Sequence, residues 1–167
     1  MSHRPCCWRG LLTCVALAAT HGAAVPAIAQ SVLSTNLTAT TTDVETVAGS
    51  DWLTASFGTG TSAMVLDSAT LKLASIVTGS AALSLYTDGG LQPGTFVGTL
   101  TSPSSYSTTL ANTTFTSGSL MLAANTTYWL VLSATTGSFD WAWTTDNSGT
   151  GIGFQHVWGE SEDAGDT

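Results

Sequence analysis

Charge is what this chain most lacks. Only 8% of its 167 residues are Asp, Glu, Lys or Arg, and just three of them are Lys or Arg. So few cations give no electrostatic grip on phosphates, which argues against nucleic acid and anionic lipid as partners. Strong helix formers such as Glu, Lys, Arg and Gln are also scarce, which argues against a helical bundle. No stretch reaches the roughly 18 consecutive apolar residues that a membrane-spanning helix needs. Cys6, Cys7 and Cys14 are the only cysteines, all near the start, so nothing downstream can form a disulfide. What fills the chain instead is Thr, Ser and 17 Gly, with 43% hydrophobic residues. That is enough apolar material to exclude wholesale disorder, and it reads as many short strands joined by turns.

The first 29 residues have the pattern of an export leader. Arg4 and Arg9 precede a short apolar stretch, Leu11 to Ala19, and Ala27-Ile28-Ala29 forms a small-residue site with cleavage expected between Ala29 and Gln30. Cys14 invites a lipoprotein reading, but Thr13 before it is bulky and the apolar run continues beyond it. Lipidation is therefore disfavoured. Removing residues 1–29 leaves a domain of about 138 residues, 30–167, with no cysteine. Lys72 then stands as the only base against eleven acids, a net charge of about −10. A chain of this length can rest on its core without disulfides.

Period-two alternation runs through the rest. Residues 30–50 are polar and Thr-rich, expected to form an edge strand and a loose loop. Leu53, Ala55 and Phe57 alternate with Trp52, Thr54 and Ser56. Leu71 and Leu73 oppose Thr70 and Lys72, and Leu83 and Leu85 oppose Ser84 and Tyr86. Asp88-Gly89-Gly90 and Gln92-Pro93-Gly94 have turn chemistry, followed by a short strand from Phe96 to Leu100. Thr113 to Phe115 and Ser119 to Leu122 are strand pieces. Thr126 to Ala134 is the most apolar strand and reads as central, with both faces buried. Phe139, Trp141 and Trp143 share a face, as do Ile152, Phe154, His156 and Trp158. The spacing predicts an all-β fold, a single antiparallel two-sheet β-sandwich of the jelly-roll kind. Four acids crowd the final nine residues. They suggest a solvated tail or, fitting better, a chain cut before its last strand, since sandwiches pair or cover their edges.

Three segments carry a family likeness: SLYTDGGLQPGTFVGTL at Ser84–Leu100, LMLAANTTYWLVLSA at Leu120–Ala134 and FDWAWTT at Phe139–Thr145. Together they resemble the choice-of-anchor R domain, over about Val32 to Asp166. The resemblance implies an exported bacterial surface domain, of a kind that often carries a Pro-Glu-Pro (PEP-CTERM) sorting tail. Against that pattern this chain lacks the last strand and an anchor.

Candidate sites are few. His156 is the only imidazole after the leader, in an alternating strand with no nucleophile frame around it. Asp140 with Asp146 or Glu160 could be set as a glycosidase acid pair, but any acidic β domain offers such pairs by chance. Cys/His metal clusters are excluded by the counts. Calcium wants roughly six to eight oxygens; Asp88 in its Gly-rich turn offers some, without the spacing of a calcium loop. No cofactor is expected. Asn36, Asn112 and Asn125 match the glycosylation sequon by chance in so Thr-rich a chain. Large rings are numerous, and exposed rings stack on sugars. Trp141 and Trp143, with Tyr128 and Trp158, are therefore candidates for a polysaccharide-binding platform, unless they are core. The function expected is non-enzymatic: an exported domain with a structural or adhesive role at the cell surface or in the extracellular matrix. A carbohydrate-binding module is the alternative.

Overall fold

The computed structural model describes residues 11–17, 30–163 and 165. Nine strands form, and no described residue is helical. They are β1 (Leu12–Leu17), β2 (Gln30–Thr35), β3 (Asp43–Ala48), β4 (Trp52–Gly58), β5 (Met64–Asp88), β6 (Pro93–Leu100), β7 (Ala111–Leu122), β8 (Thr127–Trp143) and β9 (Phe154–Ser161). Every pairing between them is antiparallel. The all-β antiparallel expectation therefore holds. The strands form one hydrogen-bonded sheet rather than two separate ones, in the order β2-β1-β5-β8-β4-β9, with β3 added on β8 and β6 and β7 on β5.

Two long strands make that possible. Alternation predicts separate strands around Leu71 and Leu83, yet both lie in the 25-residue β5. Likewise the runs around Leu130 and Trp141 join into the 17-residue β8. The joins are irregular rather than absent. Register between β5 and β8 shifts between Ser75 and Ala81, where Ile76 and Val77 turn outward. Bulges of this sort bend a strand and raise its twist without ending it. Gly137 sits in the bend at φ 74°, and a Cβ on Gly79 would lie 2.0 Å from the Thr136 carbonyl oxygen. The glycines that read as breaks are the residues that let two chains cross at the corner.

The N-terminal part of β5 thus pairs with β1 and β7, and its C-terminal part with β6. Single bridges join Thr101 to Thr116 and Thr35 to Thr150. With those bridges the folded sheet comes close to a barrel around one core. Leu53, Leu132, Leu83 and Leu100 form a continuous inward row across β4, β8, β5 and β6. Across the bend, Ser34, Cys14, Ala69 and Phe115 form another across β2, β1, β5 and β7. All eight are buried. Each buried leucine contributes about 1.5–3 kcal/mol. A one-residue slip would exchange leucines for serines and threonines on the core side, so the alternation sets the register.

The N-terminus has an unexpected place. Leu12–Leu17, inside the stretch read as a leader, forms β1 between β2 and β5. Leu11 and Cys14 have no exposed surface. Ala29, one side of the expected cleavage bond, lies outside the described residues, while Gln30 opens β2. Residues 30–50, expected to be one edge strand and a loop, hold two strands, β2 and β3. Ile152 is 67% exposed and precedes β9, outside the strand that holds Phe154 and Trp158.

Candidate functional site

Two of the four residues expected to bind sugar are buried. Trp141 is 3% exposed, and its indole N–H donates to the Leu11 carbonyl at 3.3 Å. Tyr128 is 5% exposed, stacks on Phe57 with centroids 6.0 Å apart, and accepts the Ala123 amide at 2.9 Å. An aromatic ring at an inward position of a sheet is worth most as core. These two side chains therefore form no exposed platform, which corrects that expectation. Trp143 and Trp158 are half-buried, on β8 and β9. They flank different neighbours, Trp143 opposite Asp43 and Trp158 opposite Ala55.

Asp88 is engaged within the protein. Its Oδ1 accepts the Trp129 indole N–H at 2.8 Å and the Leu91 amide at 3.1 Å. It ties the β5–β6 turn to a Trp that is 1% exposed. Among the described residues no three His, Cys, Asp or Glu side chains are grouped to hold a metal. The proposed acid partners are also committed to local structure. Asp140 accepts the Thr46 hydroxyl at 2.6 Å, and Asp146 accepts the Ser148 amide at 2.8 Å. The His156 side chain lies outside the described part. Asn36 is buried at 4%, whereas Asn112 and Asn125 are exposed.

The exposed rings lie elsewhere. Tyr86 and Phe96 face each other across the β5–β6 hairpin, with centroids 5.5 Å apart and planes at 72°. Trp52 on β4 approaches Tyr86 from the other side, at 6.1 Å and 48°. Phe96 is 54% exposed; Trp52 and Tyr86 are half-buried. Partial burial pushes the Tyr86 hydroxyl pKa up, so the ring carries a neutral O–H donor at ordinary pH. Beneath them Trp129, the register partner of Tyr86, is covered and held by Asp88. Ser84 and Thr99, hydroxyls 3.2 Å apart, continue the same face without charge. Alternation along β4 and β5, together with the register shift that pairs Tyr86 with Phe96 just after Leu85 with Gly98, places these side chains opposite the leucine rows.

Trp52 also forms one wall of an open hollow of about 240 Å³. Its other walls include Glu45 and Thr46 of β3, Asp51 just before β4, and Glu160, Ser161 and Glu162 at the end of β9. An aromatic row therefore leads into a pocket rimmed by carboxylates and hydroxyls, groups that accept hydrogen bonds from a polyhydroxylated ligand. Trp52 and Tyr86 were visible as rings in the sequence, but their meeting was not. The two lie on β4 and β5, strands separated by β8, and only the folded sheet brings their rings together. Phe96 carried a local signal, because hairpin partners flanking Asp88-Gly89-Gly90 must face one another.

No helix among the described residues is long and apolar enough to cross a membrane. Compared with known protein families, curated proteins and solved structures, the chain finds no match.

Proposed function

We propose that this chain is an exported, non-enzymatic β domain that acts by adhesion at the cell surface or in the matrix, with polysaccharide as its contact. The observation that carries the reading is the row Trp52, Tyr86 and Phe96, set between the Ser84 and Thr99 hydroxyls and the acidic hollow. The rings are not coplanar, being tilted by 48° and 72°. A flat crystalline surface cannot touch all three, whereas a single soluble glycan chain, which twists, can. Neutral or cationic sugars suit the site, since Glu45, Asp51, Glu160 and Glu162 repel acidic ones. The folded sheet is read as a two-layer sandwich of jelly-roll kind whose layers share β5 and β8. Membership of the choice-of-anchor R family is part of the same proposal.

The test is retention on a panel of immobilised neutral and amino-sugar polysaccharides, with tryptophan fluorescence as a second readout. Wild-type protein is expected to bind at least one. A Trp52→Ala, Phe96→Ser variant should lose about two- to tenfold per ring, taking ~0.5–1.5 kcal/mol for each aromatic contact. Its melting temperature should stay close to that of the wild type. Failure of the wild type on the whole panel, or an unaffected double variant, would overturn the reading.

A further inference from the structure

We propose that the seat of β1, between β2 and β5, is a strand-accepting site. It takes an extended segment of another polypeptide once the leader is removed. The inference rests on the exported reading above, because cleavage before Gln30 is what empties the seat.

The geometry of the present occupant defines what fits. Residues 12–17 pair antiparallel with β5, Leu12 to Leu71 and Cys14 to Ala69, and residues 13–17 with β2, Cys14 to Ser34. Leu12 and Cys14 point into the core at 5% and 0% exposure. Thr13 between them meets the Thr35 hydroxyl at 2.6 Å on the outer face. Groups beyond the two ladders also reach the strand, and they touch only its backbone. The Leu12 amide donates to Asn36 Oδ1 at 2.9 Å, and the Asn36 amide donates back to the Leu12 carbonyl at 3.2 Å. The Leu11 carbonyl accepts both the Lys72 amide, at 3.0 Å, and the Trp141 indole. The Leu11 amide donates to the Ala142 carbonyl at 2.9 Å.

Such a seat reads a peptide backbone with alternate small or aliphatic side chains, rather than one sequence. A glycan or an acyl chain cannot satisfy two ladders of N–H and C=O groups set about 4.8 Å to either side. Emptying it would expose two strand edges at once, together with the inward row of Ser34, Ala69 and Phe115. Strand addition is the general answer to edges of this kind.

The experiment uses the full chain, with a protease site placed between residues 18 and 29. Cutting the folded protein leaves β1 held by pairing alone, whether or not residues 30–167 fold by themselves. A fluorescent peptide of residues 10–17, kept reduced, is then offered in excess. It should exchange into the seat and raise the melting temperature. The same peptide with Leu12→Asp and Cys14→Asp should bind about a hundredfold more weakly, and one with Thr13→Ser should bind nearly as well as the parent. In parallel, the exported protein is sequenced from its N-terminus and sized. A monomer beginning at Gln30 that binds the peptide supports the proposal.

Loss of the nicked strand with no uptake of the peptide overturns it. So does a dimer of the cleaved chain that refuses the peptide, since a second copy then fills the seat. A secreted chain still carrying residues 1–29 overturns the exported-and-processed reading instead, while peptide exchange in the nicked protein still decides whether the seat accepts strands.

Discussion

Replacing Asp88 by Ala tests how the outer face is held. The carboxylate sits on an exposed turn, but it serves Trp129, an indole that is 1% exposed and has its N–H 2.8 Å from Oδ1. A hydrogen bond to a charged group is worth about 1.5–3 kcal/mol, and a buried donor left without a partner costs about 1–3 kcal/mol. Water can replace the carboxylate for the Leu91 amide at the surface, but it reaches the covered indole poorly. Asp88→Ala should therefore cost about 2 kcal/mol, lowering the melting temperature by roughly 4–8 °C for a domain of this size. Asp88→Asn keeps an acceptor oxygen and should cost about half as much.

Urea unfolding followed by circular dichroism gives the free energies, provided the slope stays constant. The decisive form is a double-mutant cycle with Trp129→Phe, which removes the donor. In that background Asp88→Ala should cost under about 0.5 kcal/mol. If the cost is the same with and without the indole N–H, the account of Asp88 as the anchor of Trp129 is wrong.

Other consequences are sharper in sign than in size. Trp141→Ala removes a buried ring and should cost about 3–5 kcal/mol, whereas Trp143→Ala, at a half-buried position, should cost less; thermal melts separate the two. Gly137→Ala places a Cβ at φ 74°, 2.4 Å from the Val77 carbonyl oxygen. The left-handed backbone alone costs about 1–2 kcal/mol, so a loss greater than this is expected on chemical denaturation. Burial pushes the Cys14 thiol pKa well above its usual value. A folded-state pKa above the unfolded one contributes stability that is complete below about pH 8.5 and is lost as pH rises past it. With Cys6 and Cys7 replaced by Ser, the full-length chain should thus show a native Cys14 thiol inert to aromatic disulfide reagents at pH 8, reactive only after unfolding, and a stability that declines in alkaline solution. Rapid native labelling would mean that β1 is not seated.

Alternation in this sequence was sufficient to mark strands and their inward sides. Leu83 and Leu85 against Ser84 and Tyr86 is a pattern that only a half-buried strand accommodates, and it reappears as the core rows. The Asp88–Gly94 turn was equally legible, because positive φ and a preset proline φ are local demands. The role of Asp88 in holding Trp129 was not legible there. Its partner Trp129 lies 41 residues away, and nothing in the turn announces an indole beneath it.

Local residue character set the all-β class, the inward side of the regular strands and the scarcity of cations. These follow from the character of each residue and its nearest neighbours. Tertiary structure decided the rest. Whether Gly79 and Gly137 end their strands or bend them depends on how closely two backbones cross at the corner. Whether a Trp is a platform or core depends on what lies across the sheet, which separated the buried Trp141 from the accessible Trp52. The apolar run at Leu11 to Leu17 found a seat because β2 and β5 leave a strand's width between them. Such effects arise from pairing between distant segments, where register and packing, not local preference, supply most of the free energy.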